Sequence, residues 1–269
     1  MLKDITLGQF FPGHSLIHKL DPRTKLVMLV VYIIALFLAT SWISYGVMFL
    51  FLVLCIAISR IPLKALLTGM KPLVVILLFT AVLNLFFTGG DTVLLNLIWG
   101  LKITQEGLFR AIFMTLRILM LISGTFLLTY TTSPIALTDG LESLLNPLRV
   151  IHVPVHELSM MMCIALRFIP TLIEETDKIM SAQKARGADF ESGNLMQRVK
   201  ALVPILVPLF ISAFRRADEL ATAMECRCYQ GGEGRTKMKM LRYMARDFYT
   251  YGLGIVLLAG MIVLSCFGL

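Results

Sequence analysis

The stretch 26-LVMLVVYIIALFLATSWISYGVMFLFLVLCIAIS-59 decides the fold class, because it is apolar from end to end and holds no charged residue. A helix needs about 20 mostly apolar residues to cross ~30 Å of hydrocarbon. The stretch therefore reads as two spans, Leu26–Trp42 and Ile43–Ser59, joined by almost no loop. Working outward, further spans are expected at Pro72–Thr88, at about Leu108–Tyr130 and at Tyr249–Leu269. The whole chain agrees with this reading. Its 269 residues are 57% hydrophobic and 16% charged, and its mean hydropathy is +0.81. Such a balance belongs to an all-α polytopic membrane protein and not to a soluble domain. Between Asp21 and Asp91 no acidic residue occurs, which argues against a relay of buried carboxylates in the first three spans. The opening MLKDITLGQFFPGHS has acid and proline close together and no small-residue cleavage site, so no removable signal peptide is expected.

The net charge of +8 is assigned to cytoplasmic loops and not to nucleic-acid binding, because surplus Lys and Arg mark the cytoplasmic side of membrane proteins. Lys3, Lys19, Arg23 and Lys25 precede the first span, the next loop is uncharged, and Arg60, Lys64 and Lys71 lie between the second and third spans. The N-terminus is therefore expected to be cytoplasmic, with the chain back in the cytoplasm near Thr131. Residues 132–246 hold 15 of the 25 Lys and Arg and 12 of the 17 acids. The expected organisation is a membrane domain with four spans (1–131), a large cytoplasmic and interfacial helical domain (132–246) and a final span (247–269). Within the middle block, Met160–Ile169 and Ala201–Phe214 are apolar enough to be short extra spans, but charges flank both closely. Helices at or below the membrane surface are the preferred reading.

An internal repeat runs through that block. At an offset of 41 residues, Asp177 meets Asp218, Ile179 meets Leu220, Ser181 meets Thr222, Ala182 meets Ala223 and Arg186 meets Arg227. At about 100° per residue, Ile179, Ala182 and Arg186 share one helical stripe, as do Leu220, Ala223 and Arg227. Gly187 is placed to end the first helix and Gly231–Gly232 the second. A single Arg of this kind would be a helix cap or a snorkelling side chain. Two matched copies point to a duplicated partner.

Other motifs carry less. The segment 231-GGEGRTK-237 follows a helix and lacks the G-x-x-x-x-G-K-[ST] spacing of a phosphate-binding loop. Cys226 and Cys228 lack two further ligands at zinc spacing. No cofactor or metal is expected. His14 and His18, and His152 and His156, are spaced by four but have no complementary ligands at suitable spacing, so they read as interfacial histidines. Arg110 and Arg117 share a face of the fourth span and either pair inside the bundle or mark a partner contact. The cluster Met160, Met161 and Met162 with Cys163 is either core or an adaptable contact surface, since thioethers suit surfaces that repack.

Five segments carry a resemblance: LDPRTKL at 20–26, TSPIALTDGLESLLNPLR at 132–149, VPVHELSMMMCIALRFIPTLIEE at 153–175, AQKARGAD at 182–189 and AMECRCYQGGEGRTK at 223–237. In these the chain resembles the transmembrane coupling (T) component of energy-coupling factor importers, close to the shared vitamin-transport type and related to cobalt and biotin permeases. The resemblance implies two cytoplasmic ATPases of the ABC type and a separate substrate-capture (S) membrane protein as partners in the bilayer. It implies that this chain is not an enzyme but passes the ATPase motion to the capture protein. It also places two Ala-Arg-Gly motifs at the tips of coupling helices. Ala185-Arg186-Gly187 fits the first, whereas Cys226-Arg227-Cys228 keeps only the arginine of the second. Capture-protein contact is assigned to Met160, Met161, Met162 and Cys163. Two other classes stay open: a membrane-embedded enzyme, for which Glu157, Glu174 and Asp177 are the obvious residues, and a self-sufficient secondary transporter, which needs paired interrupted spans around a midplane polar site.

If Cys226 and Cys228 are not ligands, the double Ser variant retains most transport, and elemental analysis of the purified protein finds no stoichiometric zinc. Tightly bound metal lost on that replacement would contradict the reading.

Overall fold

The structure is a computed structural model and describes residues 10–87, 93–96, 102–188, 190, 194–231 and 240–267. It is all-α apart from one small hairpin. In chain order it comprises α1 (Pro22–Leu38), α2 (Trp42–Ser59), α3 (Leu63–Met70), α4 (Val74–Phe87), β1 (Val93–Asn96), β2 (Lys102–Thr104), α5 (Gln105–Thr131), α6 (Pro134–Leu145), α7 (Val155–Ala185), α8 (Leu195–Cys226) and α9 (Ala245–Cys266). Among the described residues, five helical stretches are long and apolar enough to cross a membrane: α2, Leu63–Phe86, α5, α7 and α9. The chain is a multi-pass membrane protein. The packing divides into two compact units, one formed by Gly8–Gly140 with Leu241–Leu269 and the other by Leu141–Met240.

In the first unit α1 is the centre. It packs against α9, α5 and α2, and its Tyr32, Ala35 and Leu36 join Tyr45, Met48 and Leu52 of α2, Met120 of α5 and Met261 of α9 in one buried cluster. The helices approach closely where one of them lacks a side chain. A Cβ on Gly124 would lie 2.7 Å from the Tyr32 ring, and one on Gly254 would lie 2.7 Å from the Met28 sulfur. Small residues at such crossings are how helices gain dispersion energy in lipid, where burial of apolar surface gives no net drive.

The first helix ends sooner than the sequence suggests, at Leu38 and not Trp42. Ser41 caps α2 by accepting the Ser44 N–H, so the apolar run is broken by a hydroxyl cap. The third span is continuous from Leu63 to Phe86 but tightens to a 3-10 turn at Lys71–Leu73, where Pro72 lacks a donor. The strands β1 and β2 pair antiparallel, with Asn96 opposite Lys102, a feature the sequence reading did not anticipate.

At its N-terminus α1 is tied by ionic hydrogen bonds. Asp21 caps the helix by accepting the Arg23 N–H at 2.9 Å, and Pro22 fixes the first turn. The Asp21 N–H donates to Asp247 Oδ1 at 3.0 Å, and Asp247 Oδ2 accepts the Met244 N–H at 2.8 Å. One carboxylate thus joins the starts of α1 and α9. Arg23 donates to the Leu241 carbonyl at 2.7 Å and lies over the Tyr243 ring. Lys25 Nζ donates to the Thr131 carbonyl at 2.9 Å and to Thr132 Oγ1 at 3.2 Å, which fastens the end of α5. At the other end Arg117 donates to the Ala39 carbonyl and the Tyr45 hydroxyl, each at 2.9 Å, beside the rings of Phe37 and Tyr45. Of the two arginines on α5, Arg117 therefore pairs inside the bundle, while Arg110 is exposed.

Replacing Asp247 by Ala removes one acceptor from two backbone N–H groups and leaves Arg23 and Lys25 in excess. A loss of about 2–4 kcal/mol is expected from two charge-assisted bonds. It is read as a lowered melting temperature of the detergent-purified chain, with D247N in between because an amide keeps one acceptor oxygen.

Candidate coupling site

The second unit is built on α7 and α8, helices of 31 and 32 residues. Asn194 starts α8 with a reciprocal capping box, its backbone N–H bonded to Gln197 Oε1 at 3.0 Å. The pair is joined by Arg216 Nη2 to Glu175 Oε2 at 2.8 Å, and by a longer contact of 3.5 Å from Gln183 Nε2 to the Pro204 carbonyl. Advancing along α7 means retreating along α8, so the two helices run antiparallel. Glu175 and Arg216 are themselves 41 residues apart, so the repeat offset also joins its two copies.

Their C-termini are built alike. In α7, Arg186 is the C-cap and Gly187 follows at φ +88°. Gly187 N–H donates to the Lys184 carbonyl and Ala188 N–H to the Gln183 carbonyl, both at 3.0 Å. In α8, Arg227 is the C-cap and Cys228 follows at φ 55°. Cys228 N–H donates to the Glu225 carbonyl at 2.8 Å and Tyr229 N–H to the Met224 carbonyl at 3.0 Å. Both are complete Schellman motifs, and they superpose residue for residue at the repeat offset. The expectation that Gly231–Gly232 ends the second helix is corrected: Cys228 takes the left-handed position three residues earlier, in the place of Gly187. Gly231, at φ +94°, turns the chain beyond the cap. Gly232 and the segment 232–237 lie outside the described residues.

Each cap presents its arginine in the same way. Ala185, Arg186, Gly187, Cys226, Arg227 and Cys228 are all exposed. Neither guanidinium has a side-chain partner among the described residues. The antiparallel packing puts the two tips at opposite ends of the pair. Pro204 lies near the α7 tip, and the 23 residues from there to Arg227 span on the order of 30 Å at 1.5 Å per residue. One acceptor site is too small to serve both arginines.

Toward its N-terminus α7 changes character. Met161 and Met162 are 54% and 44% exposed, so they are not plain core, whereas Met160 and Cys163 are half-buried. Further along the unit, α8 exposes Leu206, Val207, Phe210, Ile211 and Phe214. Glu142 organises the entrance to α7: its Oε2 accepts the Ser159 hydroxyl at 2.9 Å and its Oε1 pairs with His156 Nδ1 at 3.1 Å. The sequence reading missed this network, and it places His156 as a structural partner of a carboxylate. His152 holds φ 62° at the end of the 3-10 turn Asn146–Ile151. His18 accepts or donates to Ser15 Oγ at 2.7 Å.

As for enzyme chemistry, Glu157 and Glu174 are exposed and Asp177 is half-buried on a different turn. Ser159 donates to the Glu142 carboxylate, whose other oxygen pairs with His156. Among the described residues, no group of three or more His, Cys, Asp or Glu is placed to hold a metal ion.

Comparison with known proteins agrees with this architecture. The CbiQ family, described as "Cobalt transport protein", matches residues 13–238. A relative from Clostridium kluyveri is 58% identical over 248 residues, 92% of each chain, and is called energy-coupling factor transporter transmembrane protein EcfT. Relatives with the same name from Ruminiclostridium cellulolyticum and Bacillus subtilis are 52% identical over 266 residues, 98% of each chain, and 50% identical over 247 residues, 92% of this chain and 93% of the relative. The chain belongs to the CbiQ family and, within it, to the transmembrane components of energy-coupling factor transporters.

Proposed function

We propose that this chain transmits ATP-driven motion from two cytoplasmic ATPase subunits to a separate membrane protein that captures a vitamin or a trace-metal ion. The observation that carries the reading is the pair of matched caps. Two guanidiniums without a side-chain partner among the described residues stand at the ends of two long helices, each fixed by the same hydrogen-bond closure. Two such tips, on the order of 30 Å apart, fit the two subunits of an ATPase dimer, one groove each. Each arginine supplies a planar and permanently charged fork for carbonyl or carboxylate acceptors in its groove. The apolar face of α8 and the exposed Met161 and Met162 suit the capture protein. In this orientation the N-terminus and residues 132–246 are cytoplasmic. Substrate identity belongs to the capture protein, and ATP hydrolysis to the partners.

The test is transport by arginine variants. Losing a buried charge-assisted contact at an interface costs about 2–5 kcal/mol. R186A and R227A are each expected to weaken assembly or uptake, and the double variant to abolish uptake. Full uptake by the double variant with intact complexes would rule the reading out.

The cap geometry adds a second expectation. A non-glycine residue at positive φ carries roughly 1–2 kcal/mol of strain, so C228G is expected to keep transport and raise the melting temperature slightly. C228V puts a β-branched residue at φ 55°, and is expected to open the cap and lower transport although Arg227 is intact.

Orientation is tested by labelling. Single cysteines at Ser192 or Glu233, in a background without native thiols, are expected to react only with reagents that enter the cytoplasm. Labelling from outside intact cells at either position would assign α7 to a full crossing and reverse the orientation of the block.

A further inference from the structure

Within the first unit, α1, α2, α5 and α9 leave an open cavity of about 370 Å³ between them. That volume lies in the ~300–1,000 Å³ range of small-molecule sites. Its lining is graded along the helix axes. At one end stand Lys25 and Arg246, with Thr131 and Thr250 beside them; about two turns deeper the walls are Tyr32, Phe51, Gly124 and Leu253. Among the described residues, no acidic residue lines it. On α9, Arg246, Thr250 and Leu253 share one face, so the cation sits on the first turn and the apolar wall follows inward. A second cavity of about 370 Å³ lies between α4 and α5, lined by Ala81, Leu85, Leu108, Ile112 and Leu119 among others, and has no charged lining residue among the described residues.

The two cations differ in availability. Lys25 is buried and donates to the carbonyls of Thr131 and His18 and to Thr132 Oγ1. It lines the cavity with its ammonium already engaged. Arg246 is exposed, and its guanidinium has no partner among the described residues. Tyr249, 80% exposed, stands beside it, as aromatic residues do at the headgroup level.

We propose that this cavity holds one anionic phospholipid, its headgroup phosphate on the Arg246 guanidinium and one acyl chain laid between α1, α2, α5 and α9. Charge complementarity selects the head, because a guanidinium fork matches phosphate oxygens and the lining offers no carboxylate to repel them. The apolar inner walls select the chain. The cavity is open and not enclosed, so a lipid can enter it, and the proposal needs only that the bundle sits in a bilayer.

The test uses the purified complex with its partner subunits, depleted of lipid and titrated with phosphatidylglycerol bearing a photoreactive acyl chain. Crosslinks are expected to be saturable in the peptides around Phe51 to Ile58, Leu127 and Leu253. Unlabelled phosphatidylglycerol is expected to compete about five-fold better than phosphatidylcholine, the effect of one basic residue near a headgroup. R246Q, at an exposed position that leaves the fold alone, is expected to abolish that preference. Cys55→Phe, which fills the cavity, is expected to remove the groove crosslinks and spare those between α4 and α5. Equal labelling of both cavities with no headgroup preference, or a preference unchanged in R246Q, would reduce the lipid to an unspecific annulus and overturn the proposal. Groove labelling of the isolated chain that disappears in the complex would assign the groove to a partner protein and overturn it equally.

Discussion

The first unit depends on how α1 is held at its two ends. The helix has 17 residues, the shortest length that crosses a bilayer, and lipid gives its apolar face no reason to prefer protein over hydrocarbon. What fixes it is electrostatic and local. Asp21 and Asp247 surround its N-terminal N–H groups, and Arg117 meets the carbonyl of its C-cap residue Ala39. Anions at the start and a cation at the end both complement the helix dipole. The close crossings at Gly124 and Gly254 then follow, since their tight fit requires a helix that does not slide.

The second unit solves a different problem. Its α7 and α8 share few buried residues, with Val155, Ser159 and Ile205 among them, and their partnership rests on Glu175–Arg216 and on end caps. A pair of helices with so much exposed apolar surface is incomplete as a soluble body, and large exposed apolar surface marks interaction.

Much of this was legible in the sequence. Most of the spans were, because lipid demands long apolar runs. However, α7, read as a surface helix because charges flank its apolar stretch, is also long and apolar enough to cross, and the expected first span is shorter than the other candidates. The repeat was legible too, and the matched caps show why it exists: Arg186 and Arg227 are the same position in the same motif. What escaped was set by single polar atoms. The break after α1 depends on the Ser41 hydroxyl in a run that reads as continuous. The end of α8 was placed at the glycines because glycine is the usual left-handed residue, whereas Cys228 adopts that conformation. Asp247 looked like the edge of a span, and its link to Asp21 crosses 226 residues. Glu142 and His156 meet across a 3-10 turn and a helix start, a path that no regular spacing encodes.

The paired caps have a mechanical consequence. An uncapped helix frays, and a push or pull at its last residue is absorbed by opening that turn. In α7 and α8 the final carbonyls are already closed by Gly187 and Ala188, and by Cys228 and Tyr229. Displacing either arginine therefore moves a whole rod and not a loose end. The compliance lies elsewhere, at Pro170 in α7 and at Pro204 and Pro208 in α8, where a missing N–H leaves the ladder a bond short. Each helix thus combines a closed tip with a built-in joint.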